Sequence, residues 1–451
     1  MNTDITKMSP LFLWTLCLPV MLACIDVMAV SVALNNILSS FPHSSTELEW
    51  LLSSYMIGTA AFLITIGRLA DHFGRRRLLL IGVILFGLSS AFAGFSPYFF
   101  ILIVSRFFQG IASAILMTTV ISIITHSYSP EARVRALAIW GLALGVAMAL
   151  GPLAGGLLLH ITNWRFIFFI NIPLCIYAYL MIFRVVPESQ NPNALPIDWY
   201  EALLLNFIFI GWIVLLSEMT NWGWLSHSSI LLFLCCATLS LLYYKKFAQK
   251  PAAIINFSLF QLPNFLSATL SGALSYFTMY AWLYIYNLYL QQQLHLSALR
   301  TGIWMAFFSL AFALCSRLSA KIMTIFGNRR TLQLGFCLMF CVFILLGFFT
   351  SRANLIELGF LFFMLGTTIV FANTPSINSA LQYVSKEKAG TASGIVFTIR
   401  WLGGAIGVTV VALEQPFGIQ ICCWTLCLIS LLGFLCSFGV KNAQENISLE
   451  R

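Results

Sequence analysis

Along this chain, long apolar runs alternate with short polar links. The runs fall near 11–34, 48–68, 78–96, 98–126, 133–160 and 165–186. After a loop carrying Pro187, Pro192 and Pro196 come two more, near 199–219 and 229–247, and a short link through Pro251. Six further runs follow near 264–291, 300–323, 331–350, 354–382, 389–413 and 418–440. About 20 apolar residues in a helix rise far enough to cross a hydrocarbon core of about 30 Å. Spanning barrels would instead show short segments alternating in polarity. The pattern therefore predicts an all-α integral membrane protein with fourteen transmembrane helices. It divides into two six-helix bundles, 1–190 and 256–451, with an inserted helix pair in 191–255.

An internal repeat supports that division. A shift of 253 positions lays Gly74 on Gly327, Arg76 and Arg77 on Arg329 and Arg330, and Arg133 and Arg135 on Lys386 and Lys388. The same shift lays Gly141 on Gly394 and Gly151 on Gly404. Secondary transporters are commonly built from such repeats, with the cargo site where the halves meet.

Composition sharpens the picture. The chain is 60% hydrophobic and 9% charged, far from the roughly 25% charge of a soluble domain. The net charge of +9 is no nucleic-acid footprint, because the basic residues sit in separate links rather than one surface. Arg75–Arg77, Arg133, Arg135, Lys245, Lys246, Arg329, Arg330, Lys386 and Lys388 fall in alternate links. The others hold only Arg165, Arg300 and Arg352. That asymmetry predicts a bacterial-type cytoplasmic (inner) membrane protein with both ends in the cytoplasm. The twelve cysteines lie mostly inside apolar runs and behave as small hydrophobes. Met21-Leu-Ala-Cys24 resembles a lipoprotein cleavage box, but the apolar run continues past it to Leu34, as in an uncleaved helix. No metal-ligand spacing, P-loop or hydrolase motif is present, so no enzyme, cofactor or metal site is expected.

Three motifs carry chemistry. The link after the second run reads Gly67-Arg-Leu-Ala-Asp71-His-Phe-Gly74-Arg75-Arg-Arg; Gly74 permits a tight turn, and Asp71 is suited to a helix N-terminus. Its second copy has Thr324 in place of Asp71. The fourth run holds Arg106-Phe-Phe-Gln-Gly110, an arginine that must turn inward. The fifth holds Gly141, Gly145, Gly151, Pro152, Gly155 and Gly156, small residues that let helices approach closely.

Together with Trp164-Arg165, Asn171-Ile-Pro173, Asp198-Trp199 and Arg400-Trp-Leu-Gly-Gly404, these motifs resemble the fourteen-helix drug:proton antiporter branch of the major facilitator superfamily. The resemblance covers nearly the whole chain. It implies alternating access, a conformational latch at Gly67, Asp71, Gly74 and Arg75, and an antiporter motif in the fifth helix. It further implies export of small amphipathic compounds, drugs or toxic metabolites, against inward proton flow. The other cargo reading is a dedicated exporter of one endogenous metabolite, such as a siderophore. A periplasmic or outer-membrane efflux partner is left open.

Asp26 is the expected proton carrier, because an apolar span disfavours its charged form, and the resemblance implies an acidic coupling residue there. Ser31 and Asn35 replace the family's usual Asn and Pro after it. Arg106 is the natural electrostatic partner, and Arg400 is a second interior candidate. Glu218 and Glu414, near helix ends, read as interfacial. Tyr276, Tyr280, Tyr284, Asn287 and Gln291 share one face of the ninth run. That stripe is suited to a wet cavity, for lipophilic cations or hydroxylated metabolites.

Overall fold

A computed structural model describes residues 10–41, 48–128, 130–189, 197–223, 225–247, 250, 253–255, 257–350, 352, 354–384 and 389–441. They are helical throughout, with no strand among the described residues. The helices are α1 (Pro10–Ser40), α2 (Trp50–Phe73), α3 (Arg75–Gly94), α4 (Phe99–Ser127) and α5 (Pro130–Ile161). A span bent at Ile170 supplies α6 (Arg165–Phe169) and α7 (Asn171–Val185). Next come α8 (Trp199–Trp222), α9 (His227–Phe247), α10 (Phe265–Leu288), α11 (Ala298–Phe349), α12 (Leu355–Leu381), α13 (Ala389–Glu414) and α14 (Ile419–Ser437).

Among the described residues, eleven helical stretches are long and apolar enough to cross a membrane. The segments expected at 300–323 and 331–350 form one stretch, α11, broken only at Gly327 with φ 82° and ψ 167°. Its repeat partner Gly74 separates α2 from α3 with φ 102°. Only glycine takes such left-handed angles without steric cost, so the repeat is visible in the backbone itself. Helix α10 is missing from the eleven because Ser, Thr, Tyr and Asn interrupt its apolar surface, yet most of it is buried. Its hydrogen-bonded turns widen into a π-turn at Tyr289–Gln293.

Outward faces carry large apolar side chains, among them Phe183, Leu231, Phe348, Ile356 and Leu428. In water such a surface would be unstable; against lipid tails it costs nothing. This is a multi-pass membrane protein. In the first part of the chain α1 packs on α5, and α4 on α2 and α3; in the last part α10 packs on α13, and α11 on α12 and α14. The two parts meet through α5 against α11 and α2 against α13, and α8 lies beside α2 and α13.

Candidate functional site

The structure brings Asp26 and Arg106 together. Both are buried, and an Arg106 Nη1 to Asp26 Oδ2 ion pair joins α1 to α4. The other carboxylate oxygen accepts from Asn171 Nδ2 of α7 at 2.7 Å. Arg106 also donates to Gln109 Oε1 at 2.7 Å and to the Leu51 carbonyl at 3.2 Å. Its guanidinium lies 4.5 Å over the Tyr55 ring. Ser90 Oγ of α3 accepts from Gln109 Nε2 at 2.7 Å and from Asn171 Nδ2 at 3.3 Å. The buried charges thus form a compact pair held by neutral polar groups of α2, α4 and α7, and Ser90 of α3 links the α4 and α7 amides, while Arg106 Nη2 has no acceptor among the described residues. Neutral hydrogen-bond partners of this kind help make a buried ion pair tolerable.

Arg400 lies elsewhere, fully buried in α13. It donates to Asn373 Oδ1 and to Ser376 Oγ of α12, each at 2.5 Å, and its charge lies 5.6 Å from the Tyr276 ring centre. A second Arg400 Nη2 contact reaches the Asn373 carbonyl at 3.4 Å. An aromatic cluster bridges the two arginines. Trp401 lies 6.2 Å from Tyr55, 5.9 Å from Tyr276 and 5.4 Å from Tyr280. Tyr276 of α10 and Cys24 of α1 each keep part of their surface exposed, and we call the gap they border the central crevice.

Helix α5 is wedged between this core and α11. A Cβ on Gly155 would stand 2.8 Å from Ala29 Cα, three residues beyond Asp26. One on Gly156 would stand 2.8 Å from Leu299 Cα on α11. Gly151 faces Met28, the Pro152 carbonyl faces Gly302, and Gly145 faces Ala313. Gly141 meets nothing within 4 Å, so the packing role expected of that glycine is not visible. The remaining glycines place α5 in direct backbone contact with both α1 and α11.

Residues 16–408 match the family model described as Major Facilitator Superfamily. The chain belongs to the major facilitator superfamily. It is 30% identical over 392 residues to the multidrug resistance protein Stp of Mycobacterium tuberculosis, covering 86% of this chain and 72% of that protein. It is 25% identical over 397 residues to the riboflavin transporter RibZ of Clostridioides difficile, covering 87% and 85%. A solved POT family transporter in complex with a thioalcohol-conjugated peptide superposes with a TM-score of 0.72 at 17% identity, covering 94% of each chain; that likeness concerns the fold. This superfamily member is a transporter, not an enzyme.

The other predicted residues of this facilitator are dispersed. Asp71 ends α2, and its side chain lies outside the described residues, as do those of Arg133 and Arg135; Lys386 and Lys388 are outside altogether. Gly67 makes only ordinary contact with Thr118. Arg75 is mostly buried, and its backbone N–H donates to Ser189 O at 3.0 Å. The carboxylate found at the α3 N-terminus is Glu188, which accepts from the backbone N–H groups of Arg76 and Arg77 at 3.1 Å each. A helix start attracts a negative charge, so Glu188 was findable only by knowing that its link folds back. The tyrosine stripe divides. Tyr276 borders the crevice, and the buried Tyr280 ring packs against it at 5.8 Å. Higher up, Asn287 Nδ2 reaches Ser31 Oγ at 3.4 Å, and Gln291 Nε2 reaches Val32 O at 2.7 Å, tying α10 to α1. Tyr284, between them, approaches Glu49. Glu218 accepts from Trp50 Nε1 at 2.8 Å, and Glu414 accepts from Thr425 at 2.7 Å. Glu49, Ser90 and Tyr55 were missed as site residues, because isolated polar residues of these kinds carry no spacing signal; Asn171 stood in a quoted motif but was given no role at the site.

Proposed function

We propose that this chain is a proton-coupled antiporter that exports small amphipathic compounds across the cytoplasmic membrane by alternating access. In this reading two six-helix bundles, 1–190 and 256–451, rock about the crevice. Residues 191–255 add two crossings for fourteen in all, and both termini are cytoplasmic. The observation that carries the reading is the Asp26–Arg106 pair, set beside the crevice and two to three residues from the α1 surface that α5 packs against.

A proton reaching Asp26 removes its negative charge and with it most of the hold on Arg106. Arg106 keeps Gln109, the Leu51 carbonyl and the Tyr55 ring, so the guanidinium stays seated while α1 is released from α4. Displacement of α1 presses on Gly151 and Gly155, and α5 passes it to α11 through Gly156 and Pro152. Packed interfaces switch between discrete arrangements rather than bending continuously. Inward proton movement across ~100 mV adds about 2.3 kcal/mol per charge, before any pH gradient.

The test is efflux from everted vesicles with and without an imposed pH gradient. Gradient-dependent efflux is expected in the wild-type protein and at least a tenfold loss of it in Asp26→Asn. Full gradient-driven efflux in that variant refutes the role of Asp26. A second reading, a dedicated exporter of one metabolite, draws support from the similarity to RibZ. It requires that the same vesicles move few or no unrelated compounds.

A further inference from the structure

The two buried arginines are provided for differently. Arg106 has Asp26. Arg400 has no carboxylate among the described residues, only the Asn373 amide and backbone carbonyl and the Ser376 hydroxyl. Its Nε, like Arg106 Nη2, has no acceptor among the described residues. A fixed positive charge this deep is costly, and neutral partners recover only part of the cost. Among the described residues no carboxylate is left over to pair with it. Of the chain's 15 acidic residues, Asp26 alone stands mid-span, and Arg106 and Asn171 already engage it. Nor is Arg400 inherited from the repeat, since the 253-residue shift sets Ala147 opposite it.

The charge is also deliberately seated. It lies against Gly272 of α10, where an added Cβ would stand 2.5 Å from Nε. The Tyr276 and Phe397 rings flank it at 5.6 and 5.8 Å; Tyr276 is partly exposed toward the crevice, and the buried Tyr280 and Trp401 rings pack behind it. We infer that Arg400 is the anion-binding residue of the cargo site, and that the exported compound carries a carboxylate on an aromatic frame. Guanidinium matches carboxylate in both charge and shape, and phenol and indole faces hold flat rings. A cationic cargo fits worse, because Asp26, the mid-span carboxylate, is already engaged by Arg106 and Asn171. This inference rests on the exporter reading for the crevice being the cargo path.

Two dyes with the same ring system and opposite charge test it: fluorescein, with a free carboxylate, and rhodamine 6G, an esterified cation. Dye anisotropy gives the affinity of the purified protein for each. The wild-type protein is expected to favour fluorescein. Arg400→Gln should weaken fluorescein at least tenfold while changing rhodamine 6G less than twofold, and Arg400→Lys should restore part of the loss. Should Arg400→Gln fail to fold, Gly272→Ala displaces the guanidinium with its charge intact and is expected to give the same selective loss. A wild-type preference for rhodamine 6G, no fluorescein binding, or equal weakening of both dyes overturns the inference. Charge selectivity that persists in a protein without gradient dependence refutes the antiport reading and leaves the role of Arg400 standing.

Discussion

A buried ion pair is best understood by what its loss leaves behind. With Arg106 replaced by Met, the Asp26 carboxylate would keep only Asn171, deep in a membrane protein. Removing one partner of a buried pair typically costs about 3–5 kcal/mol, whereas replacing both by apolar groups is often close to neutral. Arg106→Met should therefore lower the melting temperature in detergent markedly, and adding Asp26→Leu should recover most of the loss. Additive destabilisation would mean that the two groups do not share one interaction. Charges of this kind were legible from sequence because an ionisable residue in an apolar run stands out against its neighbours. Their neutral partners were not. Asn171 and Ser90 converge on Asp26 only once α7 and α3 are folded beside α1, and nothing local to either residue announces it. Gln109 is intermediate, since a position three residues after Arg106 shares its helix face.

Among the helices, α5 does the most with the least side chain. Gly155 and Gly156 are adjacent, so they point to different neighbours, Ala29 on α1 and Leu299 on α11. A Val at Gly156 has nowhere to go on the α11 side. The expected outcome is folded, correctly inserted Gly156→Val protein whose efflux falls at least tenfold, with dye affinity within about threefold of wild type. Loss of dye binding instead would mean that α5 shapes the site rather than coupling it. Gly141→Ala, where no atom lies within 4 Å, should leave efflux unchanged. The glycine spacing of α5 made close approach legible, but not which glycine met which helix, because that depends on how α1 and α11 are rotated. The breaks at Gly74 and Gly327 were legible from the repeat. The π-turn at Tyr289–Gln293 was not, since it reflects where α10 is tied to α1 rather than any local preference.

For the molecule as a whole, hydrogen bonds tie α1 to the α10 end on the side opposite Gly74. Asn287, Gln291 and Gln292 of the α10 end bind Ser31, Val32 O and Asn35 at the end of α1. Beneath this seam Glu49 occupies the N-cap position of α2, just before the span that starts at Trp50, and is only 4% exposed. Glu218 of α8 lies near enough to act on it electrostatically, and Trp50 donates to Glu218 at 2.8 Å. Burial first, and the Glu218 charge second, push the Glu49 carboxyl up from its ordinary 4.5 to about 8. A group whose value is raised in the closed form favours closure while protonated. That contribution is full below the ordinary value and is lost as pH rises through about 8. Opening frees Glu49 to ionise in water, so alkali should favour the open form and acid the closed one. Labelling of a cysteine placed at Asn35 should therefore speed up between pH 6 and pH 9, once corrected for the thiol's own ionisation with a free-thiol standard. Glu49→Gln carries no titrating group there and should flatten the profile toward the slow, closed level. A profile unchanged in Glu49→Gln would show that closure of this end is insensitive to the Glu49–Glu218 contact. In the proposed antiporter, whose protons would enter from the side opposite Gly74, closure on protonation would let the same ion that loads Asp26 shut the entrance behind it.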